Sequence, residues 1–100
     1  MSTRVLVVDD EPKIRDVLRR YLVADGFDVS EAATGEEALE RVRALHPEVV
    51  VLDVRLPGKD GFEVLAELRR VSTAYVLMLT ARAEEVDKLL GLSLGADDYV

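Results

Sequence analysis

Short, continuous apolar runs alternate with amphipathic helical patterns along the 100 residues of the chain. The runs at residues 5–8 and 49–52, VLVV and VVVL, are rich in β-branched side chains and typical of strands that are covered on both faces. Residues 27–32 alternate between apolar and polar side chains, which predicts a strand at an edge of the sheet. Strands and helices that alternate roughly every 20 to 25 residues indicate βαβ units, and these predict a parallel sheet with helices on both faces.

Local signals set the ends of the elements. Pro12 suits the first turn of a helix that stops at Gly26, and Thr34 begins a capping-box pattern, TGEE, that predicts the start of a second helix. We predict strands at residues 5–8, 27–32, 49–52 and 76–79 with a fifth from 98, and further helices over 34–45, 61–71 and 84–94. The chain shows no repeat or linker, so we expect one α/β domain.

Charge and composition exclude several classes of function. The chain has 20 Asp and Glu against 13 Lys and Arg, a net charge of −7, which disfavours binding to nucleic-acid phosphates and to anionic membranes. It has no cysteine, so it can form neither a disulfide framework nor a thiolate zinc site. No run reaches the length of a membrane span and the N-terminus has no signal-peptide pattern, so we expect a cytoplasmic domain with no membrane partner.

Polar residues end three of the predicted buried strands. Asp9 and Asp10 follow the first strand, Asp53 follows the third and Thr80 follows the fourth. Because the carboxyl ends of parallel strands share one edge of the sheet, we expect these side chains to converge there. Helix capping can account for Asp10, but not for Asp53, because residues 54–57, VRLP, follow it and do not begin a helix.

Clustered carboxylates repel one another and tend to keep their protons unless a cation lies among them. An all-oxygen site at an open edge suits Mg²⁺, which in proteins commonly has a phosphoryl group as a further ligand. The chain has no cysteine and no credible catalytic histidine or serine, so a nucleophile here has to be a carboxylate. Asp53 is the best placed of the three.

Four segments carry a family resemblance. They are residues 7–11 (VVDDE), 52–61 (LDVRLPGKDG), 79–82 (LTAR) and 91–100 (GLSLGADDYV). Together and in this order they resemble the receiver domain of two-component response regulators. The last segment, with Ala81 and Arg82, resembles the OmpR/PhoB-like subfamily of transcription factors.

This resemblance implies a CheY-like, flavodoxin-like fold, a doubly wound five-stranded parallel sheet in the order 2-1-3-4-5. It implies that Asp53 accepts a phosphoryl group from a sensor histidine kinase. It also implies that Mg²⁺ is bound by Asp9, Asp10, Asp53 and the backbone carbonyl of Arg55. The domain is then a phosphoacceptor rather than an enzyme.

The same resemblance assigns the switch and the dimer interface. The hydroxyl of Thr80 is expected to bond the phosphoryl group and the ring of Tyr99 to rotate inward behind it, which changes the surface of helix four and strand five. Members of the OmpR/PhoB-like subfamily dimerise through helix four, strand five and helix five. The residues expected at that homodimer interface are Lys88, Leu92, Asp97 and Asp98.

We expect the receiver, residues 1–100, to stop before the fifth helix. The family lysine that pairs with the phosphoryl group is expected beyond Val100, and so is a separate DNA-binding domain of the parent protein. The parent protein is expected to contact DNA and to regulate transcription only through that domain.

The residues alone leave three other functions to consider. A Mg²⁺-dependent phosphatase can use a strand-end aspartate nucleophile, but it needs a second aspartate two residues later, where this chain has Arg55. A flavodoxin-like cofactor binder needs a glycine-rich phosphate loop after the first strand, where Asp9 and Asp10 stand instead. A receiver-like interaction module without phosphorylation is the third alternative, and the presence of all the strand-end residues argues against it.

Overall fold

The computed structural model describes residues 2–79 and 97–99. The strands are β1 (Arg4–Val8), β2 (Asp28–Ala32), β3 (Val49–Asp53), β4 (Tyr75–Leu79) and β5 (Asp98–Tyr99), and the helices are α1 (Pro12–Ala24), α2 (Gly35–Leu45) and α3 (Gly61–Val71). Each predicted element in the described ranges is present, with bounds that differ by at most a few residues. The predicted helix over 84–94 lies outside the described residues.

The described strands pair in parallel in the order β2-β1-β3-β4-β5. This order confirms the predicted sheet, and it places β2 at an edge, as its alternating sequence indicated. The register aligns Val8 with Leu52 and Asp53 with Leu79. The ends of β1, β3 and β4 therefore lie side by side at one edge of the sheet.

Most of the core lies between the sheet and the helices α2 and α3. Leu6, Leu52 and Met78 contribute from three neighbouring strands, and Leu65 and Leu68 contribute from α3, all of them fully buried. On the opposite face, Val5, Val7 and Val51 pack with Leu18 and Leu22 of α1. Alternate residues of the same strand thus serve the two faces, as a sheet with helices on both sides requires.

Side-chain caps fix the starts of α2 and α3. The Thr34 hydroxyl accepts a hydrogen bond from the Glu37 amide at 3.1 Å, and the Asp60 carboxylate accepts one from the Glu63 amide at 3.0 Å. Glu37 in turn accepts from the backbone amide of Ala33, one residue before the cap, at 3.4 Å. The predicted capping box is therefore present, with its return bond displaced by one residue.

Helix α1 lies beside the edge strand β2. Glu31 of β2 accepts from Arg15 at 3.2 Å and lies 3.4 Å from Arg19, both on α1. The Arg41 side chain also donates to the backbone carbonyl of Glu31. No helix in the described part of the chain combines the length and the apolar character that crossing a bilayer requires.

Candidate functional site

Three carboxylates meet at the carboxyl edge of the sheet. Asp53 is the last residue of β3, and Asp9 and Asp10 directly follow β1, whose last residue is level with Leu52. The Asp9 amide donates to the Ala32 carbonyl at 3.1 Å, so the β1–β2 ladder continues to the site. One carboxylate oxygen of each aspartate lies within 4.8 Å of the others. The predicted convergence is present, and this cluster can hold a divalent cation.

The three aspartates differ in their exposure to water. Asp9 is the one buried charged residue in the described ranges, with 5% exposure, whereas Asp53 is half-buried and Asp10 is exposed. Burial raises the pKa of Asp9, and the negative charge of Asp10 raises it further. A hydrogen bond from the Glu11 amide, 2.9 Å from Asp9 Oδ1, and the charge of Arg15 act in the opposite direction. A cation bound beside Asp9 would offset the free-energy cost of burying its negative charge.

Arg15 of α1 fixes the backbone of Asp9 by a hydrogen bond to its carbonyl oxygen. Its guanidinium donates to the Asp9 carbonyl at 2.7 Å and to Glu31 at 3.2 Å, and its side chain is 18% exposed. Sequence reasoning missed this contact. No spacing rule selects Arg15 over Lys13 or Arg19, because all three are basic residues of the same helix.

The loop between β3 and α3 is tied back to the strands. Asp53 Oδ1 accepts from the Arg55 amide at 3.2 Å, and the Val54 amide donates to the Leu79 carbonyl of β4 at 3.1 Å. The Gly61 amide, at the start of α3, donates to the Val54 carbonyl at 2.8 Å. These bonds fix the backbone directly after Asp53. That the Arg55 carbonyl binds a cation stays a prediction.

Of the other residues predicted for the switch and the dimer interface, some lie within the described residues and some do not. Thr80, Lys88 and Leu92 lie outside the described residues, although Leu79, which precedes Thr80, is level with Asp53. Asp98 and Tyr99 form β5, where they pair with Leu77 and Met78.

Asp97, predicted at a dimer interface, is engaged within the chain. Its Oδ2 accepts from the Arg69 guanidinium at 2.7 Å and from the Val76 amide at 2.8 Å. The Asp97 amide donates to the Val76 carbonyl at 3.0 Å. These contacts join the start of β5 to both β4 and α3.

The family model for the response regulator receiver domain matches residues 5–100. The chain belongs to this family. Receiver domains are the phosphoacceptors of two-component systems and interact with histidine kinases. The receiver fold found here is therefore the one that the strand-end motifs predicted.

Solved receiver structures agree with this membership. A CheY-like receiver domain protein from Methanospirillum hungatei is 29% identical, with a TM-score of 0.92 over 100% of this chain and 81% of its own. The BeF3-activated receiver domain of RstA from Klebsiella pneumoniae is 31% identical, with a TM-score of 0.89 over 98% of this chain and 84% of its own. The response regulator TrrA from Thermotoga maritima, in complex with Mg²⁺ and BeF, is 39% identical, with a TM-score of 0.88 over 98% of this chain and 84% of its own. The described strands and helices thus form a CheY-like fold.

Proposed function

We propose that Asp53 of this receiver accepts a phosphoryl group from a sensor histidine kinase in a Mg²⁺-dependent transfer. The observation that carries the proposal is the convergence of the Asp9, Asp10 and Asp53 oxygens within 4.8 Å. Three carboxylates at this spacing repel one another, a cation among them offsets that repulsion, and their oxygens are the ligands that Mg²⁺ prefers.

The residues present fit a magnesium ion. Asp9, Asp10 and Asp53 would hold it together with the backbone carbonyl of Arg55, which lies two residues after Asp53 in the same loop. When bound, Mg²⁺ supplies positive charge that offsets the carboxylates and the incoming phosphoryl oxygens. The structure of TrrA in complex with Mg²⁺ and BeF supports a magnesium ion at this site.

Asp53 is the carboxylate best placed to react. Asp9 is buried and bonded to the Glu11 amide, so a large phosphodonor cannot reach it readily, whereas Asp53 is half-buried at the strand end. An Asp53 carboxylate oxygen attacks the phosphorus of a phosphohistidine, and the phosphorus–nitrogen bond breaks. The imidazole nitrogen keeps the electron pair and takes a proton from water, and the product on this chain is an aspartyl phosphate.

The phosphoryl group then biases a switch. We assign the phosphoryl hydrogen bond to the Thr80 hydroxyl, which follows a residue level with Asp53, and the rotating aromatic ring to Tyr99 of β5. A single dianionic group acting at the end of β4 shifts the population between two packings of the helix four and strand five surface.

The output belongs to the same proposal. The OmpR/PhoB-like resemblance of residues 91–100 supports a cytoplasmic transcription regulator that forms a homodimer through helix four, strand five and helix five, and that contacts DNA through a separate C-terminal domain. Lys88 and Leu92 remain candidates for the dimer interface. Of the two adjacent aspartates, Asp98 is the better candidate, because the Asp97 carboxylate already bonds Arg69 and Val76.

Incubation with acetyl phosphate tests the proposal. Wild type should gain one phosphoryl group by mass spectrometry in the presence of Mg²⁺ and none in EDTA. Asp53→Asn should gain none, whereas the control Asp28→Asn, an exposed residue of the edge strand, should behave as wild type. A wild type that stays unmodified contradicts the proposal. Steady phosphate release from a general phosphomonoester would indicate a phosphatase instead.

A further inference from the structure

The first residue of α3 packs directly against the backbone of the proposed phosphoacceptor. A Cβ atom at Gly61 would lie 2.5 Å from the Asp53 carbonyl oxygen, 2.7 Å from Val54 Cα and 3.0 Å from the Val54 carbonyl oxygen. The Gly61 amide also donates to the Val54 carbonyl at 2.8 Å. The start of α3 therefore lies too close to the end of β3 to leave room for a Cβ atom at position 61, and this approach requires a residue without a side chain.

A larger residue at this position must displace the backbone. All three atoms that it would meet belong to the main chain, so no side-chain rotation relieves the contact. The displaced segment, residues 53–55, carries Asp53 and the Arg55 carbonyl, whereas Asp9 and Asp10 lie on the separate strand end of β1. A shift there would change the distances across the acidic cluster.

We infer that Gly61 is a positioning residue for Asp53. The absence of a side chain at Gly61 sets the distance between the start of α3 and the end of β3. This distance in turn fixes the position of the Asp53 carboxylate relative to those of Asp9 and Asp10. The inference rests on the proposed function of the cluster as a magnesium and phosphoryl site.

A second glycine provides a matched control. Gly35 is the first residue of α2, and like Gly61 it is buried in a tight contact. A Cβ atom there would lie 2.6 Å from Val64 Cγ2, a side-chain methyl group in the core. The change Gly35→Ala therefore perturbs a helix start and the packing, but it does not touch the backbone of Asp53.

The experiment compares Gly61→Ala and Gly35→Ala in the full chain. Mg²⁺ affinity is measured by titration, phosphorylation by acetyl phosphate is followed over time, and melting temperatures report stability. Gly61→Ala should weaken Mg²⁺ binding about tenfold or more and slow phosphorylation. Gly35→Ala should lower the melting temperature and yet bind Mg²⁺ within about twofold of wild type. Equal Mg²⁺ affinity in Gly61→Ala and wild type would overturn the inference, and so would equal losses in the two variants.

A measurement on the wild type keeps the inference testable if Gly61→Ala does not fold. The Gly61 amide should change its chemical shift on titration with Mg²⁺, whereas the Gly35 amide should not. An unchanged Gly61 amide in a protein that binds Mg²⁺ overturns the inference. If the wild type neither binds Mg²⁺ nor becomes phosphorylated, the proposed function itself fails, which distinguishes the two outcomes.

Discussion

Asp9 carries a negative charge that the fold buries. The residue is 5% exposed, and its Oδ1 accepts a hydrogen bond from the Glu11 amide. Burial and the neighbouring Asp10 both favour its protonated form and raise its pKa. Without a cation, the folded protein therefore holds this residue at a cost in stability.

Replacement of Asp9 by asparagine should stabilise the protein in EDTA. We expect a gain of about 1 kcal/mol, or roughly 4 to 8 °C in melting temperature for a domain of this size. The folded state retains a proton on Asp9 that the unfolded chain releases near the ordinary pKa of 3.8, so wild-type stability falls as the pH rises through the raised pKa. The gain should be full at neutral pH and should vanish in acid.

The exposed neighbour serves as the control for this prediction. Asp10→Asn should gain less, because water already solvates the Asp10 carboxylate. Saturating Mg²⁺ should reverse the order of stabilities, since the ion stabilises wild type and binds Asp9→Asn more weakly. An Asp9→Asn protein that melts below wild type in EDTA at neutral pH would contradict the burial argument.

Caps at the starts of α2 and α3 place both helices at the edge of the sheet that carries the site. Each helix begins with a capping side chain followed by a buried glycine, Thr34 before Gly35 and Asp60 before Gly61. The cap satisfies an amide of the first turn, and the glycine permits close packing of the helix start. The two helices consequently begin at defined residues.

Loss of the α2 cap should weaken the fold without affecting the chemistry. Thr34→Ala removes the bond to the Glu37 amide and should lower the free energy of unfolding by about 1 kcal/mol. Thr34→Ser keeps the hydroxyl and should retain most of that energy. Urea denaturation of the three proteins measures the difference. Identical midpoints for Thr34→Ala and wild type would show that the cap contributes nothing.

The sequence predicted the elements well because their signals are local. The residues 49–52 are a continuous apolar run, and the TGEE pattern marks a helix start, so both lie where they were expected. In α1 the sequence has apolar residues at 14, 17, 18, 21 and 22, a helical spacing that predicts one buried face, but only part of this face is buried. Leu18 packs against the sheet, whereas Val17 and Tyr21 are 50% and 73% exposed, because the stripe is wider than the strip of helix that meets β1 and β2.

The positions of the site aspartates were also predictable from the sequence. Asp9 and Asp53 follow recognisable strands, and parallel topology alone brings such ends together. The roles of Arg15 and Gly61 were not predictable, because they arise from how closely two consecutive elements pack, α1 against the end of β1 and α3 against the end of β3. No pattern within either helix encodes that distance.

One carboxylate, that of Asp97, joins the start of β5 to the described elements beside it. Asp97 bonds the guanidinium of Arg69 and the amide of Val76, so the short strand β5 is tied to α3 as well as to β4. The strand pairing of β5 spans two residues, Asp98 and Tyr99. The Asp97 contacts therefore hold in place the strand to which we assign the switch.

Asp97→Ala should destabilise the whole domain by about 1 kcal/mol, because it leaves the part-buried Val76 amide without this partner and breaks the pair with Arg69. Asp97→Asn can keep the Val76 bond and should fall between the two. The control Asp28→Ala, on the opposite edge strand, should change stability little. Chemical denaturation gives the comparison. If Asp97→Ala instead weakens dimers at unchanged stability, Asp97 belongs to the interface.

The acidic cluster joins two chain segments that are distant in sequence but adjacent in the sheet. Asp9 and Asp10 follow β1 and Asp53 ends β3, with α1, β2 and α2 between them. A chain that is still being synthesised therefore has no such cluster until β3 has emerged and paired with β1. This pairing closes a long loop, a step that is slow in folding. The cluster thus exists only after the central strands have paired, and a cation bound there stabilises the assembled sheet rather than any single segment.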